Sequence, residues 1–301
     1  MTSTPPPQPP ALVADGLRKS YGDKLVLDSI DLTVPPGTVF ALLGPNGAGK
    51  TTAVEILSTL ISPDAGTARI LGHDLATEPD AVRARIGVTG QFSAIDGLLT
   101  AEENLLLMAD LVHLDREEGR RRATDLLARF DLTDVAKNRA ATFSGGMKRR
   151  LDLAMTLIGD PQLIFLDEPT TGLDPRSRRA VWDIVRELVA DGVTIFLTTQ
   201  YLEEADQLAD TIAVLDHGTL VAQGTSAELK RLVPTGHVEV TLTGGETRRL
   251  PYGGDVRSLR TILDELDAAD EQVADLAIHT PDLDDVFLAL TGDPRPTEAA
   301  R

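Results

Sequence analysis

One short segment constrains the fold of this chain more than any other. Between the apolar run Val39–Leu43 and a stretch of helical character, residues 51–60, lies Gly44-Pro45-Asn46-Gly47-Ala48-Gly49-Lys50-Thr51, followed by Thr52. The pattern is G-x-x-x-x-G-K-[ST] between a strand and a helix, where glycines let backbone N–H groups wrap a polyphosphate. The helix N-terminus adds a positive dipole end, Lys50 reaches the β- and γ-phosphates, and the Thr51 hydroxyl ligates Mg²⁺. The segment predicts half of a βαβ unit that binds a polyphosphate.

A second segment expected to act with this loop is an apolar strand that ends in two acidic residues. Residues 163–166 read Leu-Ile-Phe-Leu, and Asp167 and Glu168 follow directly. Asp167 is expected to hold the Mg²⁺ through water, and Glu168 to orient and polarise the attacking water. Acidic residues are common at the ends of strands, where they reach solvent, so this pair alone is a weak indication of a catalytic site. It becomes a strong one because the same chain contains the phosphate loop. Together the two segments predict a hydrolytic site with Lys50 and Glu168 as catalytic residues.

Ser144-Gly145-Gly146 predicts a second anion site on the same chain. The segment stands between Phe143 and Met147, at the start of a long helix. It offers a hydroxyl, two unhindered backbone N–H groups and a helix dipole. One nucleotide cannot use both anion sites if they lie on opposite faces of the chain.

Taken together, these segments resemble the ABC-transporter ATPases, over about residues 11–228. In that family a signature sequence, usually LSGGQ, completes the ATP site of a second subunit. The resemblance therefore implies ATP and Mg²⁺ as ligands and a homodimer that forms on ATP binding. It also implies that Ser144, Gly145 and Gly146 act in trans on the partner's nucleotide.

Three further positions match the family in the expected order. Tyr21 matches the aromatic residue that stacks on adenine. Gln91 matches the glutamine that senses the γ-phosphate and Mg²⁺ beside the contact with the membrane subunit. Asp174 ends the segment Glu168-Pro169-Thr170-Thr171-Gly172-Leu173-Asp174, which matches the stretch from the catalytic glutamate to the D-loop. The resemblance thus implies Thr51, Gln91 and Asp167 as the Mg²⁺ site.

The sequence departs from the common family pattern in two places. Phe143 and Met147 replace the leading leucine and the glutamine of the signature. Gln200, in Thr198-Thr199-Gln200-Tyr201, stands where most of the family has the switch histidine. A glutamine amide can donate a hydrogen bond to the γ-phosphate but cannot carry a positive charge. Hydrolysis is expected to be slower, or to depend more on Glu168.

These departures indicate one subfamily within the ABC-transporter ATPases. Gln200, the FSGGM signature and the tail segment Leu283-Asp284-Asp285-Val286-Phe287-Leu288 look like the daunorubicin-resistance-type subfamily, the ATPase subunits of actinobacterial antibiotic exporters. That resemblance implies efflux of a hydrophobic drug or antibiotic-like compound through a separate permease.

The organisation of the chain predicts an α/β fold with several parts. Residues 1–10 read as a Pro-rich tail, 11–228 as the ATPase domain, 229–292 as a small α+β accessory domain and 293–301 as a flexible tail. The resemblance implies that the ATPase domain joins a RecA-like α/β core, an antiparallel β subdomain and an inserted helical subdomain, about residues 92–150. Thr100 and Glu103 predict a capping box at the start of that insert.

The accessory domain is predicted from alternation and helical spacing. Val238, Val240 and Leu242 alternate like a half-buried strand, and Gly244-Gly245 predicts a turn. A helix is expected to present one apolar face, formed by Val256, Leu259, Leu263 and Leu266. A last helix is expected with Pro281 in its first turn after Thr280, an apolar stripe, and a stop at Gly292. Its stripe consists of Leu283, Val286, Phe287 and Leu290.

Composition excludes several classes of function. A net charge of −18 disfavours direct binding to nucleic acid or anionic membranes. The absence of cysteine removes disulfides and thiolate metal sites, and fits a reducing cytoplasm. The five histidines are scattered without an HxxxH pair, so the spacing predicts no histidine metal site.

No apolar run reaches the roughly 20 residues of a membrane helix. The expected location is cytoplasmic, peripheral on the inner face of the membrane through the permease.

Other classes stay open at this point. Another exporter of this broad type, carrying lipid or polysaccharide, or an importer would share every catalytic motif. A P-loop kinase or GTPase would explain Gly44–Thr51 and Asp167 but leaves Ser144-Gly145-Gly146 unused.

Overall fold

A computed structural model describes residues 8–90, 94–233, 236–269, 272–279 and 282–292 of the chain. It divides into two compact units, Met1–Gln223 and Gly224–Arg301. Within the described ranges, no helix is long and apolar enough to cross a membrane.

The elements alternate between strands and helices through most of the chain. In chain order the strands up to residue 224 are β1 (Leu12–Tyr21), β2 (Lys24–Val34), β3 (Val39–Leu43), β4 (Ala65–Ile70), β5 (His73–Asp74), β6 (Ile86–Thr89), β7 (Leu163–Asp167), β8 (Thr194–Thr199), β9 (Thr211–Asp216) and β10 (Thr219–Gly224). The helices of the same part are α1 (Lys50–Leu57), α2 (Pro79–Arg83), α3 (Ala101–Leu111), α4 (Arg116–Arg129), α5 (Gly145–Leu157), α6 (Pro175–Ala190) and α7 (Leu202–Leu208).

The central sheet brings the predicted chemistry to one edge. Its described strands run in the order β10-β9-β3-β8-β7-β6, and β3 pairs in parallel with β8 and β9. Leu43 lies opposite Thr199, and Asp167 opposite Thr198. Strands β3, β7 and β8 therefore end level with one another. The segments that follow them, with the phosphate loop, Glu168 and Gln200, share the carboxyl edge of the sheet.

A second, antiparallel sheet packs on the first through α1. Its described strands run in the order β2-β1-β4-β5. One apolar cluster joins residues of this sheet and α1 to Phe40, Phe165 and Phe196 of the central sheet. Phe40 and Phe196 stack with ring centroids 5.4 Å apart. Each such ring contributes roughly 1.5–3 kcal/mol by leaving water, so this cluster holds the phosphate loop between two sheets.

The predicted helical insert follows β6. In the described part of residues 90–162, α3, α4 and α5 replace the strands, apart from one isolated bridge between Thr100 and Arg139. The predicted capping box is confirmed, because Thr100 Oγ1 accepts from the Glu103 amide and Glu103 accepts in return from the Thr100 amide. Asp115 caps α4 by accepting from the amides of Glu117 and Glu118.

The second unit contains a small sheet and three helices among its described residues. The elements are α8 (Ser226–Lys230), β11 (His237–Leu242), β12 (Thr247–Pro251), α9 (Val256–Ala268), β13 (Val273–His279) and α10 (Leu283–Thr291). The strands run β12-β11-β13 and are antiparallel. The alternation predicted for β11 is confirmed, because Val238 and Val240 are buried. The predicted stop of α10 is also confirmed, with Gly292 in the left-handed region at φ 68°. Thr280 and Pro281 lie outside the described residues.

The predicted apolar face of α9 is confirmed for Leu259 and Leu266 and wrong for Val256 and Leu263. Val256 is 82% exposed and Leu263 is 45% exposed, whereas Ile262 is buried beside Leu266. The stripe that packs on the sheet is Leu259, Ile262 and Leu266, at spacing i, i+3 and i+7, with Leu259 partly buried. The sequence offers two overlapping stripes, and packing against the sheet selects the one that contains Ile262.

A buried carboxyl group lies behind the carboxyl edge of the central sheet. Glu204 on α7 is fully buried, and Trp182 Nε1 donates a hydrogen bond to its Oε1 at 3.0 Å. Burial raises the pKa of this carboxyl, although the nearby hydroxyl groups of Thr199 and Thr170, the hydrogen bond from Trp182 and the charge of Arg149 act in the opposite direction. The protonated form is therefore favoured in the folded protein relative to the unfolded chain.

This raised pKa makes stability depend on pH. A carboxyl whose pKa is higher in the folded state contributes stability that is fully present below its unfolded pKa and is lost as pH rises through the folded pKa. The unfolded reference is 4.5, so the loss occurs above that pH. Glu204→Gln keeps an oxygen acceptor for Trp182 but does not ionise. We expect the variant to gain stability relative to wild type as the pH rises from 5 to 8, because only the wild-type carboxyl must ionise in a buried position. Urea unfolding at both pH values measures this gain.

The matched control is Glu203→Gln, since Glu203 is the exposed neighbour on the same helix. Its stability relative to wild type should change little between the two pH values. An equal pH dependence in Glu204→Gln and wild type would contradict the assigned ionisation.

Candidate active site

The phosphate loop is shaped by positions that admit only glycine. Gly47 and Gly49 have φ values of 84° and 111°, in the left-handed region that side chains disfavour. A Cβ on Gly49 would lie 2.7 Å from Leu27 Cδ2 and 2.9 Å from the Val26 oxygen. A Cβ on Gly44 would lie 2.3 Å from the Leu215 oxygen. Neighbouring strands therefore hold the loop tightly, with its backbone amides at the start of α1.

Lys50 is buried within this loop. Its Nζ donates to the carbonyl oxygens of Gly44 at 2.8 Å and Pro45 at 3.1 Å, and pairs with Glu168 Oε1 at 3.2 Å. The residue is 4% exposed. A buried ammonium needs such partners, because an unpaired one costs several kcal/mol. The side chain is thus held in place at the opening of the loop.

Asp167 is held by two hydroxyl groups. Thr51 Oγ1 donates to Asp167 Oδ2 at 2.9 Å, and Thr198 Oγ1 donates to Asp167 Oδ1. Asp167 is buried at the end of β7. The structure thus brings together the hydroxyl and the carboxylate that the sequence predicts as ligands of one cation, and both are hard oxygen donors.

Glu168 has a backbone conformation that is unusual for its residue type. Its φ is 49°, in the left-handed region that costs a residue with a side chain about 1 kcal/mol or more. The amide donates to both the backbone oxygen and Oγ1 of Thr198, each at 3.1 Å. Thr171 Oγ1 donates to Glu168 Oε2 at 3.3 Å. Contacts on both sides therefore fix the carboxylate next to Lys50.

A cleft opens at the phosphate loop. It is lined by Lys24, Val26, Asn46, Gly47, Gly49, Lys50, Thr51, Thr52 and Glu168. Tyr21, the predicted adenine contact, ends β1 and lies opposite Lys24 in the hairpin register. Its side chain is 50% exposed, and Lys19 Nζ lies 5.7 Å from the ring centroid. The aromatic face is thus available close to a wall of the cleft.

The residues predicted to form a second anion site lie at the start of α5. Ser144 is the N-cap, since its side chain accepts from the Met147 amide at 3.3 Å. Ser144 and Gly145 are exposed. A Cβ on Gly146 would lie 2.7 Å from Ser177 Oγ, so this glycine is required by the packing of α5 against α6. None of the three is among the described residues that line the cleft at the phosphate loop.

Three other residues are predicted to belong to the site: Asp174, Gln200 and Gln91. Asp174 caps α6, accepting from the amides of Arg176 and Ser177 at 3.0 Å each. Hydrogen bonds from the Ser177 hydroxyl and amide hold the pKa of this carboxyl below its usual value. Gln200 is half-buried after β8, and the preceding residue, Thr199, accepts from the Gly44 amide at 3.2 Å. Gln91 lies outside the described residues.

Two residues near this site, Thr198 and Arg149, are not among those predicted from the sequence. Thr198 donates to Asp167 and accepts from the Glu168 amide, so it positions both acids. Arg149 on α5 donates to Asp152 at 3.1 Å, and burial lowers its pKa against the charges of Asp152, Glu204 and Asp167. The sequence carries no specific signal for Thr198, because threonine is a common residue of buried strands.

Comparison with known proteins is consistent with this arrangement. Residues 27–171 match the family model described as ABC transporter. The chain is 48% identical to daunorubicin resistance ATP-binding protein DrrA3 of Streptomyces coeruleorubidus, covering 96% of this chain and 98% of that protein. It is 45% identical to daunorubicin/doxorubicin resistance ATP-binding protein DrrA of Streptomyces peucetius, covering 96% of each. Nod factor export ATP-binding protein I of Sinorhizobium fredii is 40% identical, over 94% of this chain and 86% of that protein.

Solved structures of ATP-binding cassettes are similar to this chain in fold. An ATP-binding subunit of an ABC transporter matches 74% of this chain and 92% of its own length, with a TM-score of 0.66 and 32% identity. A dimeric ATP-binding cassette in a post-hydrolysis state, bound to ADP and Pi, matches 71% of this chain and 98% of its own, with a TM-score of 0.65 and 26% identity. The chain belongs to the ABC transporter family, as an ATP-binding protein of the daunorubicin/doxorubicin-resistance type.

Proposed function

We propose that this chain hydrolyses ATP to power the efflux of a hydrophobic drug or antibiotic-like compound through a separate membrane permease. The observation that carries the ATPase role is the cluster of Lys50, Asp167 and Glu168 at the carboxyl edge of one sheet. The near-full-length similarity to the daunorubicin-resistance proteins supports the choice of substrate class.

ATP binding uses the phosphate loop and Lys50. The loop amides and the start of α1 offer hydrogen bonds and a positive dipole end to the phosphates. Lys50 is already paired with Glu168, so phosphate oxygens compete for its ammonium when ATP enters. Engagement of Lys50 by phosphate leaves the Glu168 carboxylate available to orient water. Tyr21 stacks on the adenine in this proposal.

The residues present fit a magnesium ion. Thr51 Oγ1 and Asp167 Oδ2 already approach to 2.9 Å, and both are oxygen ligands of the type Mg²⁺ prefers. Thr51, Asp167 and Gln91 would hold it. When bound, Mg²⁺ neutralises charge that develops on the phosphates.

Catalysis falls to Glu168 and Gln200. Glu168 accepts the proton of the attacking water, and its backbone, fixed by Thr198, keeps the carboxylate in place. Gln200 donates its amide to the γ-phosphate. Thr199, next to Gln200, is tied to Gly44 by a backbone hydrogen bond, which supports a position beside the phosphates.

Two copies are needed to complete each site. Ser144 and Gly145 are exposed at the N-terminus of α5 but do not line the cleft of their own phosphate loop. A head-to-tail homodimer would place Ser144, Gly145 and Gly146 on the partner's nucleotide, with Asp174 close to the interface.

The proposed location follows from the partner. The chain is cytoplasmic in this proposal and is held at the inner face of the membrane by the permease. Its net charge of −18 argues against direct contact with nucleic acid or anionic lipid.

A second candidate is export of a lipid or polysaccharide by the same type of transporter. The 40% identity to a Nod factor export ATP-binding protein favours it over import. Both candidates use the same ATP site, so only the transported molecule separates them.

Transport itself tests the proposed substrate class. Cells that express this chain with its proposed permease should accumulate less daunorubicin than cells with the permease alone. Lys50→Ala should abolish the difference, since the loss of one preorganised donor lowers the rate by about 10²–10³. Intracellular drug fluorescence measures accumulation. If the wild-type complex hydrolyses ATP but accumulation is equal with wild type and Lys50→Ala, this drug is excluded and the second candidate is favoured.

Nucleotide-dependent association tests the two-copy site. Glu168→Gln should bind ATP, hydrolyse it very slowly and remain dimeric, because the closed state no longer proceeds to hydrolysis. Light scattering with Mg·ATP measures the mass. Glu187→Gln, an exposed change on α6, is the matched control and should behave as wild type. A Glu168→Gln protein that binds ATP yet stays monomeric, also with the permease present, would refute the model.

The pH profile of hydrolysis tests Gln200. An amide does not titrate, whereas histidine does so near pH 6.5. Gln200→His should therefore add a step near that pH to the acidic limb of the rate profile. The control is Gln207→His on the exposed side of α7. Identical profiles for wild type and Gln200→His, with hydrolysis rate-limiting, would remove the proposed contact with the γ-phosphate.

A further inference from the structure

Three potential metal ligands converge on one face of the sheet in the second unit. His237 on β11 and His279 on β13 are register partners, and Glu239 lies two residues along β11 from His237. Side chains two residues apart on a strand point to the same face. One ligand atom of each residue lies within 4.8 Å of the corresponding atoms of the other two.

This face is opposite to the one that forms the core. Val238 and Val240, the intervening residues of β11, are buried in the apolar cluster with Ile262 and Leu266 of α9. His237 and Glu239 are half-buried, and His279 is exposed. Polar ligands and solvent access are thus combined on the outer face.

The side chains are already ordered relative to one another. The rings of His237 and His279 stack with centroids 4.7 Å apart and an interplanar angle of 12°. Arg249 Nε, from the register partner of Glu239 on β12, donates to Glu239 Oε2 at 3.0 Å. Such a contact from outside a metal site commonly orients a ligating carboxylate.

We propose that His237, Glu239 and His279 form a binding site for a divalent transition metal of the zinc class. Two imidazole nitrogens and a carboxylate oxygen suit Zn²⁺, Co²⁺ or Ni²⁺, whereas Mg²⁺ and Ca²⁺ prefer oxygen alone. Zinc–ligand distances of about 2.0–2.2 Å place tetrahedral ligands roughly 3.4 Å apart. Small side-chain rotations bring the three atoms from their present separation to that value, and water completes the coordination.

The bound ion links two strands that are far apart in sequence. β11 and β13 otherwise pair through backbone hydrogen bonds, with α9 and β12 between them in the chain. An ion held by His237 and Glu239 on one strand and His279 on the other binds the folded sheet but not the unfolded chain in this geometry. It therefore stabilises the second unit.

Zinc binding to the nucleotide-free full-length chain tests the site. Isothermal titration with Zn²⁺ should show one site in wild type that is lost in the double variant His237→Ala/His279→Ala. Glu239→Gln should weaken binding by about tenfold or more. His113→Asn is the matched control, because His113 is an exposed histidine whose φ of 60° asparagine tolerates. This variant should bind like wild type.

Two further measurements keep the test decisive. Co²⁺ should give the visible absorption of a tetrahedral site in wild type and in His113→Asn, but not in His279→Asn, a second variant that keeps a polar side chain. Zn²⁺ should raise the melting temperature of wild type more than that of His279→Asn, with circular dichroism confirming that both are folded. Equal zinc stoichiometry and affinity in wild type and in folded His279→Asn would overturn the proposal. An absent cobalt band in wild type would do the same.

Discussion

The burial of the Lys50 ammonium is the interaction on which the rest of the active site depends. A cation removed from water is tolerated only with close partners, and two loop carbonyls and Glu168 provide them. To present those partners, β3 and β7 must end at the same level, which the parallel register through β8 ensures. The same register places Thr198 against Asp167. The register of the sheet thus brings residues that are far apart in the sequence together in one site.

The sequence predicts those parts of the site that are local. The phosphate loop, the acids that end β7 and the start of α5 each depend on neighbours within a few residues, so pattern and residue type are sufficient to find them. Thr198 is different, because a threonine on a buried strand looks like any β-branched strand residue. Its role emerges only when β8 pairs with β7 and the hydroxyl meets Asp167.

In the second unit, too, local sequence patterns do not determine which residues pack together. Helical spacing alone allows either Leu263 or Ile262 to complete the apolar stripe of α9, and only packing on the sheet decides between them. The scattered histidines suggest no metal site in the sequence, since linear spacing is informative only within one element. His237 and His279 become neighbours through the antiparallel register of β11 and β13, which no local pattern specifies.

The left-handed backbone of Glu168 has a consequence for how this protein can change. Glycine would adopt φ 49° without steric cost, and asparagine would do so more readily than glutamate. Relief of that strain would be worth about 1 kcal/mol. The same change would remove the carboxylate that pairs with the buried Lys50 ammonium, and breaking a buried ion pair costs about 3–5 kcal/mol. The strained backbone of Glu168 is therefore kept by folding itself, because the pairing that it makes possible outweighs its cost.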